Sequence, residues 1–249
     1  MIGIIWVDLC KGLKVKDFMS SPIVDFNKTI FNKLLIAIHK KTAHSVRIDF
    51  LVGKFSKLID KIHKKNTKDE FKCLDIGCGD MTLAEEVGNK LHYTSWICVD
   101  IHKLPDSLKK EKKWEKYIQF NGSDIDFNDN YFDIVIMSDI LHHASEGQSD
   151  ALLKEAARVG KNIIVKDNFE YSLYSRSILR FLDFLGNYGY GVSVPKRYYT
   201  PESFSFKVKK AGMKIVKMDK DIGFYSRISI IGRLILPNWQ FIATLKKQG

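Results

Sequence analysis

From Phe71 onward, short apolar runs alternate with helical or polar stretches: FKCLDI, SWICVD, KYIQFN, FDIVIMS and KNIIVKD are separated by segments such as MTLAEEV and SDALLKEAARV. Runs this short, without strict polar alternation, read as strands covered on both faces, and their alternation with helices predicts a parallel sheet in an open α/β fold. Ahead of them, residues 26–66 show helical periodicity. Leu51, Phe55, Leu58 and Ile62 fall on one face, and Lys54, Lys57, Lys61 and Lys64 project elsewhere. This predicts an N-terminal helical cover over residues 1–70, followed by one domain over 71–249.

Beyond Asp167 the pattern makes an excursion. Tyr174, Ile178, Phe181, Leu182 and Leu185 form a helical stripe with Arg176, Arg180 and Asp183 off it, and the turn-rich GNYGYGVSVP stops that helix. Thr200 reads as an N-cap with Pro201 at the first helical position, and Gly212 closes the next helix. MKIVKM and QFIATLKK supply the last two apolar runs.

With 249 residues, 45% of them hydrophobic, the chain has material for one substantial core with additions. Cys10, Cys73, Cys78 and Cys98 include no C-x-x-C pair, so they read as buried thiols in a reducing compartment. The apolar start MIGIIWVDLC lacks a basic leader and is broken by Asp8, which leads us to expect a cytoplasmic protein.

The net charge of +11 is unevenly spread: +7 over residues 1–70, −6 over 71–170 and +10 over 171–249. Basic flanks around an acidic middle suggest an anionic partner such as a membrane surface, a nucleic acid or an acidic substrate. A lysine-rich surface serving solubility alone explains the same numbers.

The chemistry concentrates at the end of the first strand. Cys73-Leu74-Asp75-Ile76 leaves the strand, Gly77-Cys78-Gly79 turns, and a helix begins near Met81. Glycines let a ligand approach the main chain closely, and a helix start supplies unpaired amide donors. The Walker spacing is absent, and Thr82 stands where a dinucleotide fingerprint wants glycine. Asp75 and Asp80 disfavour a pyrophosphate and suit a ligand carrying amino, hydroxyl or sulfonium groups.

On LDIGCG the chain resembles class I S-adenosylmethionine-dependent methyltransferases. Their first motif, D-x-G-x-G-x-G, is met by Asp75, Gly77 and Gly79, with Met81 at the third glycine position. The resemblance implies a Rossmann-like seven-stranded, mostly parallel sheet with helices on both faces, an N-terminal helical extension and a substrate-cap insertion after strand five, over residues 168–210. It implies S-adenosylmethionine as cofactor, held by Asp75, Gly77, Cys78 and Gly79, with Asp100 and Ile101 at the ribose. Asp124 and Ile125 would sit at the adenine, Asp126 being an alternative, and Ser138 would line the site. FDIVIMSDILHHA resembles the family's fourth motif.

Methyl transfer from a sulfonium is an in-line displacement governed largely by alignment, so a base for the acceptor is the remaining question. Asp139, His142 and His143 are the candidates, a hydrogen-bonded structural role competing with catalysis for both histidines. As metal ligands the two histidines fail on sequence grounds, because neighbours on a helix point apart and no further ligand cluster is visible; no metal is expected. Lys166 and Asp167 end the fifth strand and could face the acceptor. Phe169, Tyr171, Tyr174, Phe181, Phe184, Tyr188 and Tyr190, with Arg176, Arg180, Lys196 and Arg197, would suit an amphiphile or aromatic acid, or else form ordinary core.

The expectation is therefore methyl transfer to a small-molecule or lipid-like acceptor, with peripheral contact at an anionic membrane and nucleic acid not excluded as partner. The alternatives are an RNA or protein methyltransferase and a non-catalytic S-adenosylmethionine-binding module. A nicotinamide oxidoreductase is disfavoured by Asp75 and Thr82.

Overall fold

The computed structural model describes residues 45–66, 68–104, 110–187, 194–220, 222 and 236–248. The expectations for Cys10, for residues 26–44, for the side chain of Leu185 and for Tyr188 and Tyr190 lie outside them.

The central runs form the strands that their pattern predicts. In chain order these are β1 (Phe71–Ile76), β2 (Thr94–Asp100), β3 (Tyr117–Gln119), β4 (Ile134–Ser138), β5 (Ile163–Asn168), β6 (Met213–Asp219) and β7 (Gln240–Lys247). They make one sheet in the order β3-β2-β1-β4-β5-β7-β6. The first five are parallel, and β7 runs antiparallel to both β5 and β6. Strand order reverses between β1 and β4, so the crevice beyond their carboxyl ends is where an open α/β sheet binds ligands. The register sets Ile76 beside both Val99 and Met137, and Ser138 beside Lys166, which aligns the ends of four strands at that crevice.

Helices cover both faces. α1 (Ser45–His63) and α2 (Thr82–Lys90) lie on the face bearing Cys73, Ile134, Ile136 and Ile164. α3 (Glu146–Val159) and α5 (Pro201–Lys210) cover the face bearing Leu74, Val135, Met137 and Val165. In α1 the buried stripe is Ile48, Leu51, Val52, Phe55 and Ile59. It is rotated from the predicted one, leaving Leu58 and Ile62 half-buried, because the helix packs against Leu83 and Val87 of α2 as well as the sheet. The helical cover thus shares the core of the domain behind it.

α3 starts at a capping box between Ser145 and Gln148, and α5 at one between Thr200 and Ser203. Phe204 and Val208 of α5 are buried in the main core, so α5 is an ordinary sheet-covering helix. α4 (Leu173–Asn187) is the excursion: its Ile178 and Leu179 pack with Tyr198 and Trp239 in a small core of their own. Among the described residues, no helix is long and apolar enough to cross a membrane.

Candidate functional site

The turn after β1 has the backbone its glycines promise. Gly77 stands at φ 72°, and a Cβ there would lie 2.4 Å from Cγ2 of Ile140, so glycine is required both for conformation and for space. Met81 takes φ 62° at the start of α2, the left-handed conformation a glycine would supply at the third motif position, while its side chain is buried beneath α1 and α2. The turn is pinned to β2: Gly77 and Cys78 donate to the Val99 carbonyl at 2.8 and 3.3 Å, and Gly79 N–H donates to Asp100 Oδ2 at 2.9 Å. The other Asp100 oxygen accepts from His102 N–H at 3.1 Å. Each oxygen keeps a lone pair for a ligand hydroxyl.

Asp75 lies behind this turn, 2% exposed, with Oδ1 buried and lacking a hydrogen-bond partner. Burial and the nearby Asp100 push its carboxyl up to about 8, against a partial pull from Arg47. Ser138 Oγ, at the end of β4, is a second buried oxygen without a partner. Two orphaned oxygens beside a bare peptide turn, one on an acid that Arg47 stabilises only in part, fit the amino and sulfonium groups of S-adenosylmethionine. Cys78 is buried, and its contact with Cys98 together with that burial raises its thiol far above the usual range, so it lines the turn as an inert side chain.

The sites expected for the rest of the cofactor are placed unevenly. Ile101 is 56% exposed at the end of β2, open to cover a ring. Asp124 sits on an exposed turn, where Ser123 and Asn121 donate to its carboxylate, each at 2.8 Å, and hold its pKa down. Asp126 is exposed as well, and Ile125 is buried in the main core with its N–H on Glu155. The turn and Asp100 are therefore brought together, whereas among the described residues no hydrogen bond ties Asp124 to them.

Past β4 the structure assembles a charged cluster. Asp139, at φ 56°, pairs with Lys166 Nζ and with Arg47 Nη2, both at 2.5 Å. Burial alone would raise its carboxyl, but Lys166, Arg47 and His142 outweigh it and hold the group well below the usual range. A carboxylate so stabilised is a poor base. His142 Nδ1 lies 2.5 Å from Asp167 Oδ1, and its Nε2 lies 3.4 Å from Asp183 Oδ2 on α4; Tyr198 donates its hydroxyl to the same Asp183 oxygen. Burial would depress the imidazole, but the two carboxylates hold it up to about 10. With both ring nitrogens protonated, His142 has no lone pair to take a proton, which speaks against the general-base role weighed for it.

The sequence argument against a metal pair also fails. His142 and His143 stand on a turn and not on a helix, with ring centroids 4.1 Å apart, and Asp183 joins them as a third group. The premise behind the expectation of no metal, two histidines diverging on a helix with no third ligand nearby, does not hold in this geometry.

Arg47, Asp183 and Tyr198 were not singled out as site residues in the sequence. Arg47 hides among the lysines of an amphipathic helix. Asp183 follows Leu179 by four positions, which places it on the side of α4 facing the sheet, and that spacing is the signal that identifies it. In the predicted cap segment, Tyr174 and its neighbour Leu173 are 55% and 75% exposed, and a depression of about 350 Å³ is lined by Ser177, Arg180, Phe181, Phe184 and Val194. Arg176 is instead engaged by Glu170 in a two-pronged ion pair.

Known proteins share the domain and the fold. Residues 74–162 match the family model described as a methyltransferase domain. Among curated proteins, none matches the sequence. Solved structures share the fold. YcgJ from Bacillus subtilis superposes with a TM-score of 0.52 at 18% identity, covering 80% of this chain and 99% of its own. An S-adenosylmethionine-dependent methyltransferase from Methanosarcina mazei gives 0.53 at 19% identity, covering 75% and 96%. The mitomycin 7-O-methyltransferase MmcR gives 0.55 at 14% identity, covering 94% of this chain and 60% of its own.

Proposed function

We propose that the chain, whose residues 74–162 match a methyltransferase domain, uses S-adenosylmethionine to methylate a small or amphiphilic acceptor bound between α4 and the carboxyl ends of β4 and β5. The observation that carries this reading is the reach of Asp183 from α4 to His142, which seats an aromatic-rich helix over the crevice. A macromolecular acceptor needs an open approach to the methyl group. A helix tied down at this point favours a ligand small enough to pass beneath it.

The bound cofactor supplies an electrophilic methyl group on a sulfonium. The protein holds it with the Gly77–Gly79 turn, with Asp75 toward its cationic portion and Asp100 at its ribose hydroxyls. Arg47, 28% exposed at its side chain and close enough to Asp75 to act on its charge, is placed to meet the carboxylate of the same amino-acid portion. Ser138 and Asp139 border the acceptor side. With Asp139 and His142 both neutralised by fixed ion pairs, the protein's contribution is alignment and exclusion of water, and not removal of a proton by either group.

The exposed Leu173 and Tyr174, the depression beside Arg180 and the +10 balance of residues 171–249 suit an acceptor with an apolar body and an anionic end, presented at an anionic membrane surface. MmcR, whose name gives it a small-molecule oxygen acceptor, is compatible with this class. Incubating the full chain with methyl-labelled S-adenosylmethionine and fractionated cell extract tests the reading. Label should enter the low-molecular-weight or organic-soluble fraction. Label confined to RNA or protein would overturn it.

A further inference from the structure

We propose that His142, His143 and Asp183 form a binding site for one divalent cation of the zinc class, built between the turn after β4 and α4. One ligand atom from each lies within 4.8 Å of the other two. The separation of His142 Nε2 from Asp183 Oδ2, 3.4 Å, is the spacing of two ligands about 2.0 Å from a tetrahedral ion, which is roughly 3.3 Å. The His143 ligand atom lies within 4.8 Å of both.

A second observation points to a ligand at the same spot. The side chain of His142 is 1% exposed, and its Nε2 has no hydrogen-bond partner of acceptable geometry among the described residues. A buried ring nitrogen that stands 3.4 Å from the Asp183 carboxylate without a well-formed hydrogen bond, and beside a second imidazole, has the placement of a metal ligand once the cation takes the place of its proton. The other ring nitrogen is already oriented as metal-binding histidines are: Asp167, fully buried, takes Nδ1 at 2.5 Å, the carboxylate–histidine arrangement that fixes which nitrogen faces the ion. Tyr198 holds the Asp183 carboxylate in turn.

The neighbouring combination of Asp139, His142 and Asp167 also brings three such groups together. It is the weaker site, because Asp139 already carries two cations, Arg47 and Lys166, and Asp167 is spent on Nδ1.

Two nitrogens and one carboxylate oxygen suit Zn²⁺, Co²⁺, Fe²⁺ or Mn²⁺ in preference to Mg²⁺ or Ca²⁺, which want oxygen ligands throughout. Three protein ligands leave a position open. An anionic acceptor oxygen is the kind of ligand that would fill it. The cation would bridge the sheet edge to the cap helix. Its binding depends on these side chains alone and not on the identity of the acceptor.

Chelator-stripped full-length chain is titrated with Co²⁺ and followed by visible absorption. One equivalent should bind with the bands of a low-coordinate nitrogen and oxygen site, and Zn²⁺ should displace it. His143→Ala and Asp183→Asn should each weaken binding at least about tenfold, with S-adenosylmethionine titrations of the same samples reporting the cofactor site separately. Because a substitution in a buried cluster can unfold the chain, the wild type is read a second way. Zn²⁺ should shift the ring nitrogen resonances of His142 and His143 selectively. Absence of saturable Co²⁺ binding, affinity unchanged in both folded variants, or shifts confined to other histidines would overturn the site.

Discussion

Gly79 N–H donates to Asp100 Oδ2 across 2.9 Å, so the turn after β1 and the end of β2 are one hydrogen-bonded unit. Asp100 holds the turn in shape and keeps acceptor capacity for ribose hydroxyls. Asp100→Ala should therefore weaken S-adenosylmethionine binding by about 1 to 3 kcal/mol, the loss expected for charge-assisted hydrogen bonds. Isothermal calorimetry measures this, and an unchanged dissociation constant would remove Asp100 from the site.

Gly77→Ala puts a methyl group 2.4 Å from Ile140 Cγ2 at a backbone angle of φ 72°. Shape and conformation both oppose it. Cofactor affinity should fall at least about tenfold, corresponding to roughly 1.4 kcal/mol, and trimming the obstacle with Ile140→Ala should restore only the part that is steric. Full recovery in the double variant would show that conformation contributes nothing.

Asp75 gives a pH dependence whose sign follows from its raised pKa. Its carboxyl titrates near 8 in the folded chain and near 4 when unfolded. Between those values the native state binds a proton that the unfolded state has released, so this group's contribution to stability falls as pH rises through that window. Relative to Asp75→Asn, the wild type should lose melting temperature progressively from about pH 4 to about pH 8, and little further above it. A difference between the two proteins that stays constant over this range would contradict the assignment. Asp75→Asn should also weaken cofactor binding.

The pairing of Asp139 with Lys166 predicts a stability effect. Lys166 is 3% exposed at its side chain, and Asp139→Ala strips it of its 2.5 Å partner. Loss of about 3 to 5 kcal/mol is expected in chemical denaturation, because an uncompensated charge remains buried. The double variant Asp139→Leu with Lys166→Met should regain most of it. Equal loss in the single and double variants would mean that packing, and not charge, is responsible.

Much of this was legible in the sequence. All seven strands announce themselves as short apolar runs, and QFIATLKK coincides with β7, Gln240–Lys247, because a strand buried on both faces has little freedom to misplace its ends. Asp75, Gly77, Gly79 and Asp100 were readable because a ligand-binding turn at a strand end requires a particular backbone and leaves its mark at adjacent positions. The charged cluster was not. Arg47 meets Asp139 across 92 positions, and Asp183, though its spacing from Leu179 sets its side of α4, meets a histidine on a separate turn 41 positions earlier that the spacing does not name. The two histidines looked divergent only because a helix was assumed where the chain makes a turn.

Met81 shows the same limit at one residue. The sequence marks it as a departure from glycine; the structure keeps the glycine conformation and buries the side chain. Met81→Gly should relieve about 1 kcal/mol of left-handed strain and forfeit about 2 to 5 kcal/mol of buried contact. A net destabilisation of roughly 1 to 4 kcal/mol in urea unfolding is expected on those two figures. A more stable glycine variant would show that strain dominates.

The central claim is that the turn from Asp75 to Gly79, joined to Asp100, binds S-adenosylmethionine. Equilibrium dialysis of the full chain against labelled S-adenosylmethionine, with a nicotinamide dinucleotide in parallel, tests it most directly. One equivalent of S-adenosylmethionine should be retained and the dinucleotide should not. Retention of the dinucleotide with no uptake of S-adenosylmethionine would contradict the account.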